Sequence, residues 1–199
     1  MPPRAKFSRE EITDAAFAIV RAEGMQALTA RSLGDALGSS ARPIFTVFQN
    51  MEEVQAAALT AARARYKEYV AQGLQEVPAF GGVGKQYIRF AAEEPKLFQM
   101  LFMAESSDIP GLSSILPQID ESYRLILASI TEGYGVTDEA AQWLYHHLWI
   151  YSHGIATLYA TKMCRFTEEE IQTLLREVFI GLLKQLPHAS VQDVKQGGK

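Results

Sequence analysis

Apolar residues along this chain recur every three or four positions, with polar residues between them. The first such stretch has apolar residues on one face of a helix, at Ile12, Ala15, Ala16, Ile19 and Val20. No stretch shows the sustained alternation of apolar and polar residues that marks a half-buried strand. The pattern therefore predicts an all-α fold of about nine helices, spanning roughly residues 8–23, 29–37, 40–49, 51–74, 83–94, 95–102, 114–132, 137–163 and 167–186.

Helix start signals stand at several of these boundaries. Ser8 and Glu11 have the spacing of a capping box, in which each side chain bonds the exposed backbone N–H of the other residue. Asn50 and Glu53 have the same spacing. The second signal opens a helix of about 24 residues, which is about 36 Å long at about 1.5 Å per residue.

Residues 29–48 predict two helices of about two turns each, joined by a tight turn at Gly38. Gly34 would let these helices approach closely, and Gly38 can adopt the positive φ that such a turn requires. A helix of two turns is unstable alone in water, so its neighbours must hold it. The side chains expected to face inward are Leu33, Leu37, Ile44 and Phe48. This arrangement is typical of a helix-turn-helix, whose second helix reads one major groove of DNA.

The outer face of the second short helix carries side chains suited to reading bases. Arginine can pair with guanine and glutamine with adenine in the major groove. The residues on this face are Ser39, Ala41, Arg42, Phe45, Thr46 and Gln49. Periodicity alone leaves a second interpretation open, in which the same two helices form a hairpin inside a bundle core.

The stretch ITDAAFAIVRAEGMQALTARSLGDALGSSARPIFTVFQNMEEV, residues 12–54, resembles the DNA-binding domain of the TetR family of bacterial transcriptional regulators. The resemblance lies in a first helix that ends in glycine, Thr29 before the second helix, the glycine turn, and an aromatic-rich third helix leading into a fourth. It implies a helix-turn-helix domain over residues 1–50 and a helical effector-binding and dimerisation domain over residues 51–187. The polar residues 188–199 are expected to be a disordered tail.

The resemblance also implies a function. It predicts a ligand-responsive regulator, by family habit a repressor, that binds double-stranded operator DNA as a homodimer and is released by a small-molecule effector. The residues expected at the DNA are Arg4, Lys6, Thr29, Arg31, Ser39, Ser40, Ala41, Arg42, Pro43, Phe45, Thr46 and Gln49.

The chain departs from the family pattern at two phosphate-contacting positions. The family usually has a tyrosine near the end of the third helix, but the run here is Phe45, Thr46, Val47 and Phe48. A lysine is common early in the fourth helix, where this chain has Met51. Because phosphate contacts supply much of the affinity for DNA, an alternative function stays open: a helical small-molecule-binding dimer whose helix-turn-helix no longer reads DNA.

The last two predicted helices are apolar on more faces than packing within one chain requires. Pairing with their symmetry mates would form a four-helix interface, as the resemblance implies, and Gly154 and Gly181 would allow a close crossing. An ordinary monomer core is the other interpretation. The residues expected at the interface are Ile155, Leu158, Leu174, Val178, Gly181 and Leu182.

A second resemblance concerns the segment WIYSHGIATLYA, residues 149–160. A tryptophan, three residues and then His-Gly are typical of one C-terminal subtype of the family, named WHG for those letters. The segment FAAEEPKLFQMLF, residues 90–102, is similar to the matching earlier part of that subtype. We accordingly interpret three residues, Trp149, His153 and Gly154, as structural features of the predicted effector-binding and dimerisation domain.

Large aromatic and flexible side chains in the body suit an apolar pocket of roughly 300–1,000 Å³. Few charges fall among them, so an apolar or aromatic effector is expected. His146 and His153 share a helix face, but no carboxylate stands in a convincing position beside them, so neither a metal site nor another cofactor is expected. The residues expected to bind the effector are Tyr87, Phe90, Phe98, Phe102, Tyr123, Trp143, His147 and Tyr151.

Composition narrows the remaining classes. The net charge is −4, but residues 1–50 carry +1 and residues 51–199 carry −5, so the front of the chain is mildly cationic relative to an acidic body. The single cysteine, Cys164, excludes a disulfide framework. No apolar run is long enough to span a membrane and no signal peptide is evident, so a cytoplasmic protein is expected. No catalytic motif is present, so an enzyme is not expected.

Overall fold

The computed structural model describes residues 6–105 and 109–186 of the chain. Within these ranges it contains nine α-helices and no β-strand, which confirms the all-α prediction. The helices are α1 (Arg9–Glu23), α2 (Ala30–Ala36), α3 (Met51–Leu74), α4 (Ala79–Glu93), α5 (Pro95–Phe102), α6 (Leu112–Ile119), α7 (Tyr123–Tyr134), α8 (Asp138–Ala160) and α9 (Glu168–Leu183). None of the described helices is long and apolar enough to cross a membrane.

The chain divides into two compact units. The first unit comprises Met1–Tyr66 and Glu94–Ala104, and the second comprises Lys67–Glu93 and Glu105–Lys199. Helix α3 therefore begins in the first unit and ends in the second, and α5 belongs to the first. The predicted tail, residues 188–199, lies outside the described residues, and the predicted functional division at residue 50 stays a prediction.

The core of the first unit is apolar and draws on α1, α2, α3 and α5. Ser8 and Glu11 form the predicted reciprocal capping box at the start of α1, and Gly24 ends the helix with a φ of +94°. On the apolar face of α1 that the sequence predicted, Ile12, Ala16 and Val20 are fully buried, whereas Ala15 and Ile19 are half-buried. The buried core residues of this unit are Ile12, Ala16, Val20, Leu28, Leu33, Ile44, Phe48, Val54, Ala58, Ala62, Tyr66, Leu97 and Phe98.

The third α-helix that the sequence predicted over residues 40–49 does not form. The structure has instead a 3₁₀ turn at Ile44–Thr46, and the N–H of Ile44 donates to the carbonyl of Ala41, three residues back. Pro43 has no N–H to give, and three of the next four residues are β-branched and disfavour helix. A segment this short makes too few helical hydrogen bonds to overcome those costs.

Helices α4 and α8 pack together in the second unit, and α7 and α9 contact both of them. The end of α3 meets the start of α4 backbone to backbone at two glycines. A Cβ added to Gly82 would lie 2.3 Å from the carbonyl oxygen of Gly73, so no side chain fits at this position. The predicted start of α4 at residue 83 is four residues late, because the helix already begins at Ala79.

The prediction of one helix over residues 114–132 is wrong. Helix α6 ends at Ile119 and α7 begins at Tyr123. Between them the Oδ1 atom of Asp120 accepts the backbone N–H of Ser122 at 2.8 Å. An aspartate that bonds the backbone two residues ahead competes with helical hydrogen bonding, so the chain turns here.

Candidate functional site

The turn after α2 depends on two glycines, as the sequence predicted. Gly38 has a φ of +61°, in the left-handed region that favours glycine. A Cβ added to Gly34 would lie 3.0 Å from the carbonyl oxygen of Ser39 and 3.1 Å from the backbone nitrogen of Ala41. Because these neighbours are backbone atoms, any side chain at residue 34 would push the turn away from α2.

Residues 39–49 form what we call the reading segment, which two buried side chains anchor. Ile44 is fully buried and Phe48 is 1% exposed. The guanidinium carbon of Arg9 lies 4.2 Å from the ring centre of Phe48, and its Nη2 donates to Oε1 of Glu53 at 2.8 Å. The N–H of Gln49 donates to the other oxygen of that carboxylate at 2.7 Å. These hydrogen bonds, that of Gln49 first, lower the pKa of Glu53 from its ordinary value.

Most of the residues expected at the DNA lie on the surface of the first unit. Neither Arg31 nor Arg42 has a hydrogen-bond or ion-pair partner among the described residues, so both guanidinium groups are open to an external anion or base. Arg4 lies outside the described residues. The exposed residues are Lys6, Thr29, Arg31, Ser40, Arg42, Phe45, Thr46 and Gln49. The half-buried ones are Ser39, Ala41 and Pro43.

Four of these side chains are already engaged within the chain. The hydroxyl of Thr29 caps α2. The hydroxyl of Thr46 donates to the carbonyl of Pro43 at 2.6 Å, which leaves its oxygen free only to accept. Lys6 Nζ donates to Oγ of Ser39 at 3.0 Å and keeps two further protons for other acceptors.

The residues expected to bind the effector do not all lie in one unit. Phe98 and Phe102 belong to the first unit, where Phe98 is fully buried and Phe102 meets Tyr66 edge-on with ring centres 5.0 Å apart. The other six belong to the second unit and are Tyr87, Phe90, Tyr123, Trp143, His147 and Tyr151. These six are mainly contributed by α4 and α8, which pack against each other.

Aromatic pairs account for much of that interior. Phe90 is fully buried and contacts Tyr69 edge-on at 5.2 Å between ring centres. Tyr123 stacks on Tyr145 at 5.7 Å. Elsewhere on α8, Trp143 and His147 have ring centres 4.3 Å apart, and the half-buried Tyr151 lies on the same helix. The second unit therefore holds many aromatic side chains in and around its core, most of which also carry a polar group.

One buried polar cluster in this unit was not identified from the sequence. Asp120 is 5% exposed, and its Oδ2 accepts the hydroxyl of Tyr145 at 3.5 Å. Burial first, and then the nearby carboxylate, raises the pKa of Tyr145 well above its ordinary value. The hydroxyl of Tyr87 lies 2.9 Å from Nδ1 of His153, whose pKa burial lowers. A neutral His153 can accept a hydrogen bond from the Tyr87 hydroxyl, and Trp149 stacks on the His153 ring with ring centres 5.2 Å apart. The Tyr87–His153 and Asp120–Tyr145 contacts join residues 66 and 25 positions apart, so the fold and not the local sequence brings these pairs together.

The outer faces of α8 and α9 keep apolar surface exposed. Ile150 is 50% exposed and Ile180 is 44% exposed. A Cβ added to Gly154 or Gly181 would meet nothing within 4 Å. Ile155, which was expected at the dimer interface, is buried within the second unit at 6% exposure. The other expected interface side chains are half-buried: Leu158, Leu174, Val178 and Leu182.

Two further features of the second unit bear on its ligands. A groove of about 270 Å³ has a rim that includes Arg89, Glu93 and Glu168 over a floor of Ile88 and Ile171, and none of the expected effector residues lines it. Its charged rim does not suit an apolar effector. Within residues 6–105 and 109–186, no group of three His, Cys, Asp or Glu side chains is arranged to hold a metal ion.

The described residues combine an exposed segment after a glycine turn, in the first unit, with a second unit built from helices that carry many aromatic side chains. Residues 80–179, which are 100 of the 199 residues, match the family model of the tetracyclin repressor-like C-terminal domain. The chain therefore belongs to the TetR family of bacterial transcriptional regulators. The match includes both segments on which the resemblance to the WHG subtype rests.

Solved structures share the fold. A transcriptional regulator from Rhodococcus sp. Rha1 has a TM-score of 0.61 at 16% identity, covering 89% of this chain and 97% of its own. The fatty acid degradation regulator FadR from Bacillus halodurans has a TM-score of 0.56 at 18% identity, with coverages of 90% and 100%. A protein assigned to the TetR family from Mesorhizobium loti MAFF303099 has a TM-score of 0.51 at 15% identity, with coverages of 89% and 98%. No protein with a curated description matches the chain in sequence.

Proposed function

We propose that this chain is a ligand-responsive repressor that binds operator DNA as a homodimer and is released by a small, largely apolar effector. The observation that carries the proposal is the exposure of the reading segment on a chain that belongs to the TetR family. Buried Ile44 and Phe48 anchor it from behind, while Arg42, Phe45 and Gln49 point outward. An exposed phenylalanine, 43% open to solvent, has no role in the core and suits contact with a thymine methyl group.

The outward side chains divide into two kinds of DNA contact. Arg42 and Gln49 have the donor and acceptor groups that read guanine and adenine. Arg31 and Lys6 flank the segment and suit phosphate oxygens, which hold a protein in register without reading sequence. Phe45 and Met51 stand where the family usually has a tyrosine and a lysine, so fewer phosphate contacts are available and affinity should fall less steeply with salt.

Dimerisation would supply the second reading segment. Two half-sites one turn of DNA apart, about 34 Å, require two such segments related by a two-fold axis. The outer faces of α8 and α9 suit this contact, because exposed Ile150 and Ile180 remain to be covered. Gly154 and Gly181 leave open space in which a partner helix could approach closely.

Release follows from a difference in affinity between two states. An effector among the aromatic side chains of α4 and α8 would favour a conformation in which the long helix α3 is tilted and the two reading segments no longer match the operator. The effector shifts the equilibrium only if it binds this second state more tightly than the DNA-bound state.

The alternative function, a small-molecule-binding dimer that no longer reads DNA, gains support from one observation. The reading segment contains a 3₁₀ turn, at Ile44–Thr46, in place of the α-helix that a recognition element ordinarily inserts into the major groove. Repression requires this segment to fit the groove in its present form or to become helical on DNA.

A mobility-shift assay with fragments of the promoters next to the gene separates the two functions. We expect retardation by wild type at low salt, and we expect Arg42→Ala to need about 5- to 150-fold more protein for the same retardation. Arg63→Ala is the matched control, because it removes the same charge from an exposed position on α3. Absence of retardation with every fragment would favour the alternative, and equal retardation by the two variants would show that the reading segment is misplaced.

A further inference from the structure

Glu94 is a deeply buried carboxylate in the first unit. It is 2% exposed and lies between α4 and α5. Arg21 in the last turn of α1 donates to it twice, from Nε to Oε2 and from Nη2 to Oε1, both at 2.6 Å. Arg65 of α3 donates from Nε to Oε1 at 3.3 Å. One carboxylate therefore ties together α1, α3 and the start of α5.

The preceding residue is anchored in the second unit. Glu93 ends α4, and its carboxylate accepts the hydroxyl of Tyr69 at 2.8 Å and Nε of Arg89 at 2.7 Å. All three residues belong to the second unit. Thus the Glu93 carboxylate bonds side chains of the second unit, and the Glu94 carboxylate bonds side chains of the first. The Cα atoms of these consecutive residues are about 3.8 Å apart across one trans peptide. No flexible linker separates them.

We propose that Glu94 is a positioning residue that transmits a displacement of α4 to the first unit. The inference rests on the proposed function, because it supplies the route by which effector binding would move the reading segment. A guanidinium that donates two parallel hydrogen bonds fixes both the distance and the orientation of its carboxylate. A shift of residue 94 therefore moves Arg21 and α1, which packs against α2 directly before the reading segment.

The test does not require a known effector. Coupling between two sites is reciprocal, so if a change in α4 alters DNA binding, DNA binding alters α4. The probe is the promoter fragment that the wild-type protein retards. The measurement is hydrogen exchange of peptides covering residues 79–93 in the full chain, with and without saturating DNA.

In wild type, we expect DNA to change α4 exchange about fivefold or more, the lower end of ordinary allosteric coupling. In Glu94→Gln the change should fall below about twofold, while α1 and α2 still respond to DNA, because a neutral amide keeps the shape but loses the charged fork. Arg21→Lys should give an intermediate response, and it decides if Glu94→Gln does not fold. Glu23→Gln is the control. Glu23 is an exposed carboxylate on α1, the helix that carries Arg21, and its variant should behave as wild type.

Other results would overturn the inference. A folded Glu94→Gln protein with a lower melting temperature but a full α4 response would show that Glu94 is only structural. Clear retardation of DNA by wild type without any α4 response would show that the route lies elsewhere. If wild type retards no promoter fragment, the proposed function itself fails and the inference fails with it.

Discussion

Substitution of Gly34 by alanine tests the close approach on which the reading segment depends. The new Cβ would lie 3.0–3.2 Å from three backbone atoms of residues 39–41, so the turn must shift by a few tenths of an ångström. Overpacking of this kind costs about 1–3 kcal/mol. Alanine in a helix gains about 1 kcal/mol over glycine, so the net loss should be roughly 0–2 kcal/mol.

A matched glycine isolates the contact. Gly133 lies in α7, and a Cβ there would meet nothing within 4 Å, so Gly133→Ala should gain up to about 1 kcal/mol. The two variants should therefore differ by about 1–3 kcal/mol. With a slope of about 2 kcal/mol per molar urea, the unfolding midpoints followed by circular dichroism should differ by about 0.5–1.5 M. A Gly34→Ala protein stabilised as much as Gly133→Ala would refute the close approach.

Two further predictions concern the second unit. Burial lowers the pKa of His153, so the folded chain resists protonation more than the unfolded chain does, and the free energy of unfolding should fall as pH drops below about 6.5 towards the lowered value. The urea midpoints at pH 7.5 and 5.5 should therefore differ less in His153→Gln than in wild type. An unchanged difference would contradict this prediction. Gly154→Leu should leave the isolated chain folded, because a Cβ at this position meets nothing within 4 Å, but it should block a close helix crossing and yield monomers in analytical ultracentrifugation. Gly133→Leu is the control and should dimerise as wild type does. A Gly154→Leu protein that dimerises as tightly as wild type would place the interface elsewhere.

Local signals in the sequence predicted much of the first unit. The Ser8 and Glu11 capping box, the close approach at Gly34 and the positive φ of Gly38 each depend on residues near one another in the chain, and all three are confirmed. The box predicted at Asn50 is only half formed. Asn50 Oδ1 accepts the N–H of Glu53 at 2.9 Å, but the Glu53 carboxylate bonds the N–H of Gln49 and Arg9 instead.

Periodicity failed where local chemistry competes with helix formation. The apolar period continues through residues 40–49, yet proline and β-branched residues leave only a 3₁₀ turn. The period also continues through residue 120, where an aspartate bonds the backbone and splits one predicted helix in two. Nine helices were expected and nine are found in the described residues. The numbers agree because the helix predicted over residues 40–49 is lost and the one predicted over residues 114–132 is divided into α6 and α7.

Long-range pairs could not be predicted at all. Glu94 reads in the sequence as an ordinary surface charge before a proline, and its partner Arg21 is 73 residues away. Tyr87 and His153 are 66 residues apart. Nothing in helical periodicity links such residues, because their contact depends on how whole helices pack.

The central claim is that the reading segment selects a particular DNA sequence, and the ratio of two affinities tests it most directly. Fluorescence anisotropy at one fixed salt concentration should show wild type binding its operator at least about 10³-fold more tightly than a scrambled duplex of equal length. Arg42→Ala should lose about 5- to 150-fold on the operator, the value of one bidentate contact to a base, and little on the scrambled duplex. Equal affinity of wild type for both duplexes, or an unchanged ratio in Arg42→Ala, would contradict the account.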